Sequence, residues 1–437
     1  MNIMQNTSTK KFGRDFLIMV AGQIISLFGN SILRFALSMS VLDMTGSAAA
    51  FAGISALSML PTILLSPFGG ILADRVSRRN IMVALDFSTA ALIGAFTLLF
   101  RFTPSLTAIA AVMILLSVIQ SFYQPSVQSS IPSLVGEESL MAANGIVVQV
   151  NALASLLGPI LGGLLYGFFG IFPILYASGI CFFLSAVMEC FLHIPFVKQA
   201  RTGGVLHTMK LDFGEAMRFL TREQKPVLHL LFLVAGINLF LSSMVVIGLP
   251  YLLKIFLGLS NQMYGFAEGA MGVGSILGGL LAGVVAKKVE FHRSHILLLA
   301  SAVSLLPLGF AMVTDQAPLV SYGVALFSIL LVMCFATLFS VFAQTVMQKL
   351  APAHLLGKLS SVVTVICMCA FPVGQALYGL LFDWAGSLSY LVVLLAAVAA
   401  AVIGVLAKSA LGKIRQNPEQ PEDVETGTVL AEEEAAT

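Results

Sequence analysis

Twelve stretches of this chain are each long and apolar enough to cross a lipid bilayer, and they leave little sequence over. They cover 16–43, 46–73, 79–101, 104–131, 139–168, 171–196, 226–256, 260–286, 292–313, 317–346, 355–383 and 386–411. A hydrocarbon core of about 30 Å takes about 20 helical residues, whereas a barrel strand needs only about 10. Run length therefore selects helices, which bond every backbone group inside their own segment, as lipid requires. Composition agrees. Of the 437 residues, 58% are hydrophobic and 10% charged, against about a quarter charged in a soluble domain. The expected class is an all-α integral membrane protein with twelve transmembrane helices.

Lysine and arginine placement orients the helices. With the N-terminus inside, twenty basic residues fall on the inner side, while Arg101 and Lys254 fall outside and Arg34 lies within the first helix. Both termini are thus expected on the cytoplasmic side of the membrane. The formal net charge of +2 and the lack of a basic stripe interleaved with aromatics give no sign of nucleic-acid binding. All five cysteines sit in apolar runs and read as small buried hydrophobes. No metal site and no cofactor are expected, and the molecule is expected to be a monomer in the lipid bilayer.

The longest loop, 197–225, divides the chain into a six-helix bundle at 1–196 and a second at 226–411. Within it, Leu211, Phe213, Met217 and Leu220 are spaced as on a short amphipathic helix lying along the inner surface. An acidic tail, 412–437, follows and is expected to be disordered. The halves repeat. GGILADRVSRR at Gly69 echoes GGLLAGVVAKK at Gly278, an offset of 209; further on, Gly158, Gly163 and Gly170 match Gly374, Gly379 and Gly386 at 216. Two six-helix pseudo-repeats of one orientation are the plan of many secondary transporters.

Four charges crowd into six residues from Asp74 to Arg79, in the turn between the second and third helices. Inner-side placement accounts for Arg75, Arg78 and Arg79 but not for Gly69, Gly70 and Asp74. The string Gly70-x-x-x-Asp74-Arg75-x-x-Arg78-Arg79 resembles the loop motif of the major facilitator superfamily. DRVSRRNIMVALD at Asp74, QPSVQSSIPSLV at Gln124 and AANGIVVQVNALASLLGPILGG at Ala142 resemble its drug-exporting branch, which contains macrolide efflux proteins and the enterobactin exporter. The resemblance implies the major facilitator fold and a cytoplasmic latch. Asp74 would face the start of the eleventh helix near Leu355, where a carboxylate meets the positive end of a helix dipole. Arg75 and Arg79 would pair with nearby carboxylates, Asp86 among them. In the second half, Gly283 stands where Asp74 stands in the first. GPILGG, with Gly158, Pro159, Gly162 and Gly163, resembles the exporter motif of the superfamily, with Ala154 at its usual leading glycine. Its glycines are expected to meet Gly265, Gly269, Gly272 and Gly274 of the eighth helix between the halves.

Ionisable groups inside a membrane are costly and mark function. Arg34 and Glu268 come from opposite halves and lie at matched depths, about 13 Å and about 12 Å from the outer ends of their helices at 1.5 Å per residue. They are expected to face each other across a central cavity. Glu268 is the leading candidate for a proton carrier, its hold on a proton changing as the cavity changes its opening. Asp86 is assigned to the latch network, and Glu189 is expected to face inner water as a second coupling candidate. The resemblance implies a cavity lined by the first, fourth, seventh and tenth helices. Its polar candidates are Gln23, Asn30, Gln120, Tyr123, Gln124, Asn238 and Gln344. The fourth helix lacks the arginine common in the family. Such a lining suits a bulky, mostly apolar solute.

No Gly-x-x-x-x-Gly-Lys-Ser/Thr string occurs, which argues against an ATP-driven pump. No side-chain constellation suggests an enzyme. The expected function is export of hydrophobic or amphipathic small molecules, drug- or macrolide-like, by proton antiport. The alternatives are export of a siderophore, lipid or metabolite, and a non-transporting receptor on the same fold.

Overall fold

A computed structural model of the chain describes residues 12–195, 213–215, 217–223, 225–285, 293–313, 317–350 and 355–415, apart from a few side chains that include Asp74. The acidic tail beyond 415, most of the 197–225 loop and the latch role of the Asp74 side chain lie outside the described residues. The regular structure among them is helical. The helices are α1 (Arg14–Thr45), α2 (Ala48–Arg75), α3 (Arg78–Phe102), α4 (Leu106–Leu134), α5 (Glu137–Phe169) and α6 (Ile171–Cys190). In the second half they are α7 (Val227–Phe256), α8 (Asn261–Val285), α9 (His295–Val313), α10 (Pro318–Leu350), α11 (Leu356–Ala385) and α12 (Ser389–Arg415). α11 and α12 follow each other through a single 3₁₀ turn, Gly386–Leu388. All twelve expected spans are present.

The turns show why the chain reverses where it does. α1 ends on Gly46 at φ 60°, and α7 is followed by Gly258 at φ 65°. α5 ends on Gly170 at φ 73°, and α11 on Gly386 at φ 50°. These four are the positive-φ residues of the described chain, and they form two pairs at corresponding places in the halves. Glycine alone takes this backbone without a Cβ penalty. Ser47 then caps α2, its hydroxyl accepting from the Ala50 N–H at 3.1 Å.

Packing repeats as the turns do. α1 lies against α5 and α6, as α7 lies against α11 and α12; α2 pairs with α4 as α8 pairs with α10; α3 pairs with α6 as α9 pairs with α12. The close approach of α2 to α4 depends on Gly69, where a Cβ would sit 2.1 Å from the Ser121 carbonyl oxygen. Its counterpart Gly278 stands likewise, 2.3 Å from the Cys334 carbonyl oxygen of α10. The halves meet along two helix pairs, α2 with α11 and α5 with α8. Large apolar side chains such as Leu98, Phe102 and Trp384 remain exposed on the outside, where lipid is their solvent. α7 departs from its counterpart α1 by two π-turns, Asn238–Ser242 and Tyr251–Phe256. At the first, the Ser243 hydroxyl serves both the Asn238 carbonyl at 2.7 Å and the Phe371 carbonyl of α11 at 2.9 Å.

Arg75, Arg78 and Arg79 mark one end of the molecule as its basic end. The opposite end, with Thr45 and Ser47, is the far end.

Candidate functional site

A cavity of about 330 Å³ lies between the halves, with walls from α1, α2, α5, α7 and α8. Arg34 and Glu268 both line it. The rise of a helix fixes depth, so two residues at equal depth on helices facing the seam share one space. They form no ion pair, however. Arg34 donates to Asn30 Oδ1 at 3.3 Å and to Ser117 Oγ at 3.0 Å, while Glu268 accepts from the Tyr264 hydroxyl one turn earlier in α8. Each ionisable group is thus held by neutral groups of its own half, and the cavity brings a guanidinium and a carboxyl group into one space without pairing them. Ser155 and Pro159 also line the wall. Proline has no N–H, so the carbonyl one turn before it, that of Ser155, loses its helical donor. Across the seam Phe35 stacks on Tyr264, with centroids 5.3 Å apart.

The other polar candidates divide. Asn30 belongs to this cavity. Gln344 lines a second space of about 160 Å³ between α7, α10 and α11. Asn238 opens the π-turn of α7 beside Cys367, and Gln120 and Gln124 are half-buried on α4. Gln23 and Tyr123 are buried inside the N-terminal half, together with Asp86 and Glu189. There Tyr123 donates to Glu189 Oε1 at 2.7 Å, and Ser26 donates to Asp86 Oδ1 at 3.5 Å. Glu189 is 0% exposed. The expectation that it faces water fails because α1 comes close at Gly22, where a Cβ would stand 3.8 Å from Glu189 Cγ, and covers it.

The arginines at the basic end are tied into their own half. Arg78 donates to Ser133 Oγ at 2.9 Å and to the Ala73 carbonyl at 3.3 Å, and Arg79 donates to the Cys190 carbonyl at the end of α6. Arg75 is exposed. Neither Arg75 nor Arg79 pairs with Asp86 among the described residues; Arg79 reaches a helix C-terminus instead, whose unsatisfied carbonyls attract a cation. A Cβ on Gly70 would meet nothing within 4 Å.

The far end is closed by contacts between the halves. The Asp383 carboxylate of α11 lies over the first turn of α2. It accepts from Ser47 Oγ at 2.5 Å, the Ala48 N–H at 2.7 Å and the Ala49 N–H at 3.1 Å. Lys254 of α7 pairs with Asp43 of α1, and Asp43 also accepts from Tyr166 at 2.9 Å. On the other side of the seam, Gly163 meets Gly265 backbone to backbone: a Cβ on Gly265 would be 2.9 Å from the Pro159 carbonyl oxygen. Gly269 and Gly272 take Ile160 and Leu156 of α5. The exporter-motif glycines therefore split. Gly163 serves the seam, while Gly158 and Gly162 admit Ser31 and Phe35 of α1 within their own half, and Gly274 admits Leu330 of α10. Sequence reasoning passed over Ser47, Asp43, Tyr264 and Asp383. The available signal was a set of polar residues at one depth, with Lys254 among the few outer cations.

The profile of the Major Facilitator Superfamily matches residues 19–374. A macrolide efflux protein A of Streptococcus pyogenes is 24% identical over 377 residues, covering 85% of this chain and 90% of that protein. An enterobactin exporter of Salmonella typhimurium is 26% identical over 314 residues, covering 71% and 72%. Among solved structures, a bacterial homologue of the iron transporter ferroportin in its inward-facing state superposes with a TM-score of 0.71 at 19% identity, covering 91% of this chain and 99% of that one. In its outward-facing state the TM-score is 0.58 at 20% identity, covering 93% and 100%.

Proposed function

The chain belongs to the major facilitator superfamily, and from that premise we propose that it exports hydrophobic or amphipathic small molecules by proton antiport with alternating access. The carrying observation is the cavity between the halves with Arg34 on one wall and Glu268 on the other, each held by neutral partners and not by the other. A solute entering there meets a guanidinium with hydrogen-bond donors to spare and a carboxylate able to take a proton. Glu268 in its protonated form lets the solute leave and the empty cavity reverse; deprotonated, it favours a cationic or hydrogen-bonding solute. The aromatic wall of Phe35 and Tyr264 supplies apolar contact.

Alternating access is read on the two-pair seam. Contacts at the far end would break as the halves rock, and the knot at Gly70, Asp74, Arg75, Arg78 and Arg79 would close the basic end in turn. In the orientation that the basic residues favour, the protein loads from the cytoplasm of a bacterium and sits in its inner membrane with both termini inside. The bundles 1–196 and 226–411 are the two rocking bodies, joined by 197–225. The macrolide efflux relative points to a drug-like solute and to antibiotic resistance. The enterobactin relative keeps a siderophore in view, and the Arg34 cation gives an anionic solute of that kind a partner.

Purified protein in vesicles with an imposed pH gradient tests this, using a panel of hydrophobic cations, macrolides and catecholate siderophores. Uphill movement of one class, coupled to proton flux, is expected. Glu268→Gln should abolish uphill movement and keep solute exchange. Unchanged uphill movement in that variant would reject Glu268 as the carrier, and no gradient-driven movement of any solute would reject the antiport.

A further inference from the structure

A second buried polar cluster lies outside the central cavity. Within the N-terminal half, α1, α3, α4 and α6 bring Ser26, Asp86, Tyr123 and Glu189 together. Asp86 is 2% exposed and Glu189 is 0% exposed. One oxygen of each carboxylate accepts a hydroxyl, from Ser26 and Tyr123. Among the described residues, the other oxygen of each, Asp86 Oδ2 and Glu189 Oε2, makes no hydrogen bond, nor does either amide atom of Gln23. Gln23 is fully buried one turn along α1 from Met19, which packs in the cluster that holds Tyr123.

The groups that face this pair do not neutralise it. From α1 comes Ser26, and from α4 comes Tyr123. From α6 comes Ser185, beside Asp86, whose hydroxyl also donates to the Gly22 carbonyl at 3.1 Å. On α3, Arg79 stands seven residues before Asp86 and donates through Nη2 to the Cys190 carbonyl, its buried Nε making no hydrogen bond among the described residues. Beyond the end of α6, the exposed His193 pairs with Asp15, its backbone N–H donating to that carboxylate at 3.1 Å. Among the described residues no cation pairs with either carboxyl group, and two anions shielded from water without one are costly to keep charged together.

We propose that Asp86 and Glu189 share one exchangeable proton, making a second protonation site in the half opposite Glu268. The proton comes from water at the basic end. An O–H bond forms on one of the two unpartnered carboxylate oxygens, and the pair goes from two negative charges to one. Tyr123 and Ser26 steady the charge that remains. Glu189 is the penultimate residue of α6, which puts the site within a turn of the end of that helix. A part for this proton in transport rests on the antiport reading above; the site itself does not.

Infrared difference spectroscopy of the full-length protein in lipid, titrated with pH, tests the site. A carboxylic-acid carbonyl band is expected that titrates reversibly and shifts in heavy water. It should vanish in Asp86→Asn/Glu189→Gln and persist in Glu268→Gln. Glu189→Gln alone should move the titration midpoint of Asp86 by about tenfold or more in proton concentration, since coupled groups titrate as a pair. That single isosteric change carries the test if the double variant does not fold. Identical wild-type and double-variant spectra would overturn the proposal. So would a band that never titrates, which marks a fixed structural acid, or one erased by sodium or calcium at constant pH, which marks a metal site. Failed uphill transport in Glu268→Gln with this band intact leaves the site standing. Absence of the band from the wild-type protein, with normal uphill transport, removes the site alone.

Discussion

Replacing Asp383 should loosen the far end of the molecule. Its carboxylate takes three donors from the first turn of α2, at 2.5, 2.7 and 3.1 Å, and crosses the seam to do so. A cap of this kind contributes about 0.5–2 kcal/mol, and a charge at a helix N-terminus about 0.3–1 kcal/mol. Asp383 is exposed, so solvent screening keeps the sum well below three buried charge-assisted bonds. A value of about 2 kcal/mol for Asp383→Ala is reasonable, which is about 30-fold in the ratio of far-end-closed to far-end-open molecules. Asp383→Asn keeps an acceptor oxygen and loses the charge, so about 1 kcal/mol, or about fivefold, is expected. Ser47 still caps its own helix in both variants through Ala50, so α2 should stay helical. Pulsed spin-label distances between Phe102 and Leu388, exposed far-end positions in opposite halves, would read the two populations in a background without reactive cysteines. If both variants kept the wild-type ratio within about twofold, the carboxylate would be a bystander and the account of the seal wrong.

The inner lock proposed at Asp74 predicts the opposite sign: Asp74→Asn should favour molecules closed at the far end, and Asp74→Asn/Asp383→Ala should bring the ratio back toward wild type in the same distance measurement. Gly69→Ala puts a methyl 2.1 Å from the Ser121 carbonyl oxygen and should lower thermal stability by about 1–3 kcal/mol, whereas Gly70→Ala, with nothing within 4 Å, should leave melting unchanged. Gly265→Ala, 2.9 Å from the Pro159 carbonyl oxygen and 3.0 Å from Gly163 Cα, should open the far end in the sense of Asp383→Ala.

Depth along the membrane normal was legible in the sequence, because run length and a fixed rise per residue set it. That is why Arg34 and Glu268, placed at equal depth from opposite halves, line one cavity. Azimuth was not legible. Gln23, Tyr123, Asp86 and Glu189 read as parts of a cavity, a latch and a coupling pathway, yet all four are buried in one half. Which face of α1 meets α6 depends on contacts such as Gly22 against Ser185, where a Cβ would be 3.4 Å from Oγ. Glycine spacing had the same limit: it marked α5 and α8 as close-packing helices without saying that Gly158 and Gly162 face α1 and Gly163 faces α8. Asp383 escaped notice because its partner is a helix terminus, and a terminus has no sequence letter of its own.

The repeat explains where a gate can be built. The two seam pairs are counterparts, and so are their glycines: Gly163 of α5 meets Gly265, and Gly379 of α11 meets Ala52 with a Cβ distance of 2.5 Å. One turn further toward the far end the counterparts diverge. On α5 the position is Gly167, which leaves room only for Gln262 of α8, since a Cβ would sit 2.2 Å from its Cδ. On α11 the corresponding position, 216 residues on, is Asp383, bonded to the first turn of α2. Backbone packed on backbone resists separation steeply over short distances and carries no charge to rearrange. A carboxylate over a helix N-terminus holds over a longer range, and water replaces its partners when it lets go. The α5–α8 pair therefore suits a pivot and the α2–α11 pair a lock. The expected inner lock at Asp74 belongs to α2 as well, at its opposite end. Because α2 and α11 run antiparallel, each presents its N-terminus where the other ends. One helix pair can then be held at either mouth by the same physics, and a rocking motion that engages one carboxylate must withdraw the other.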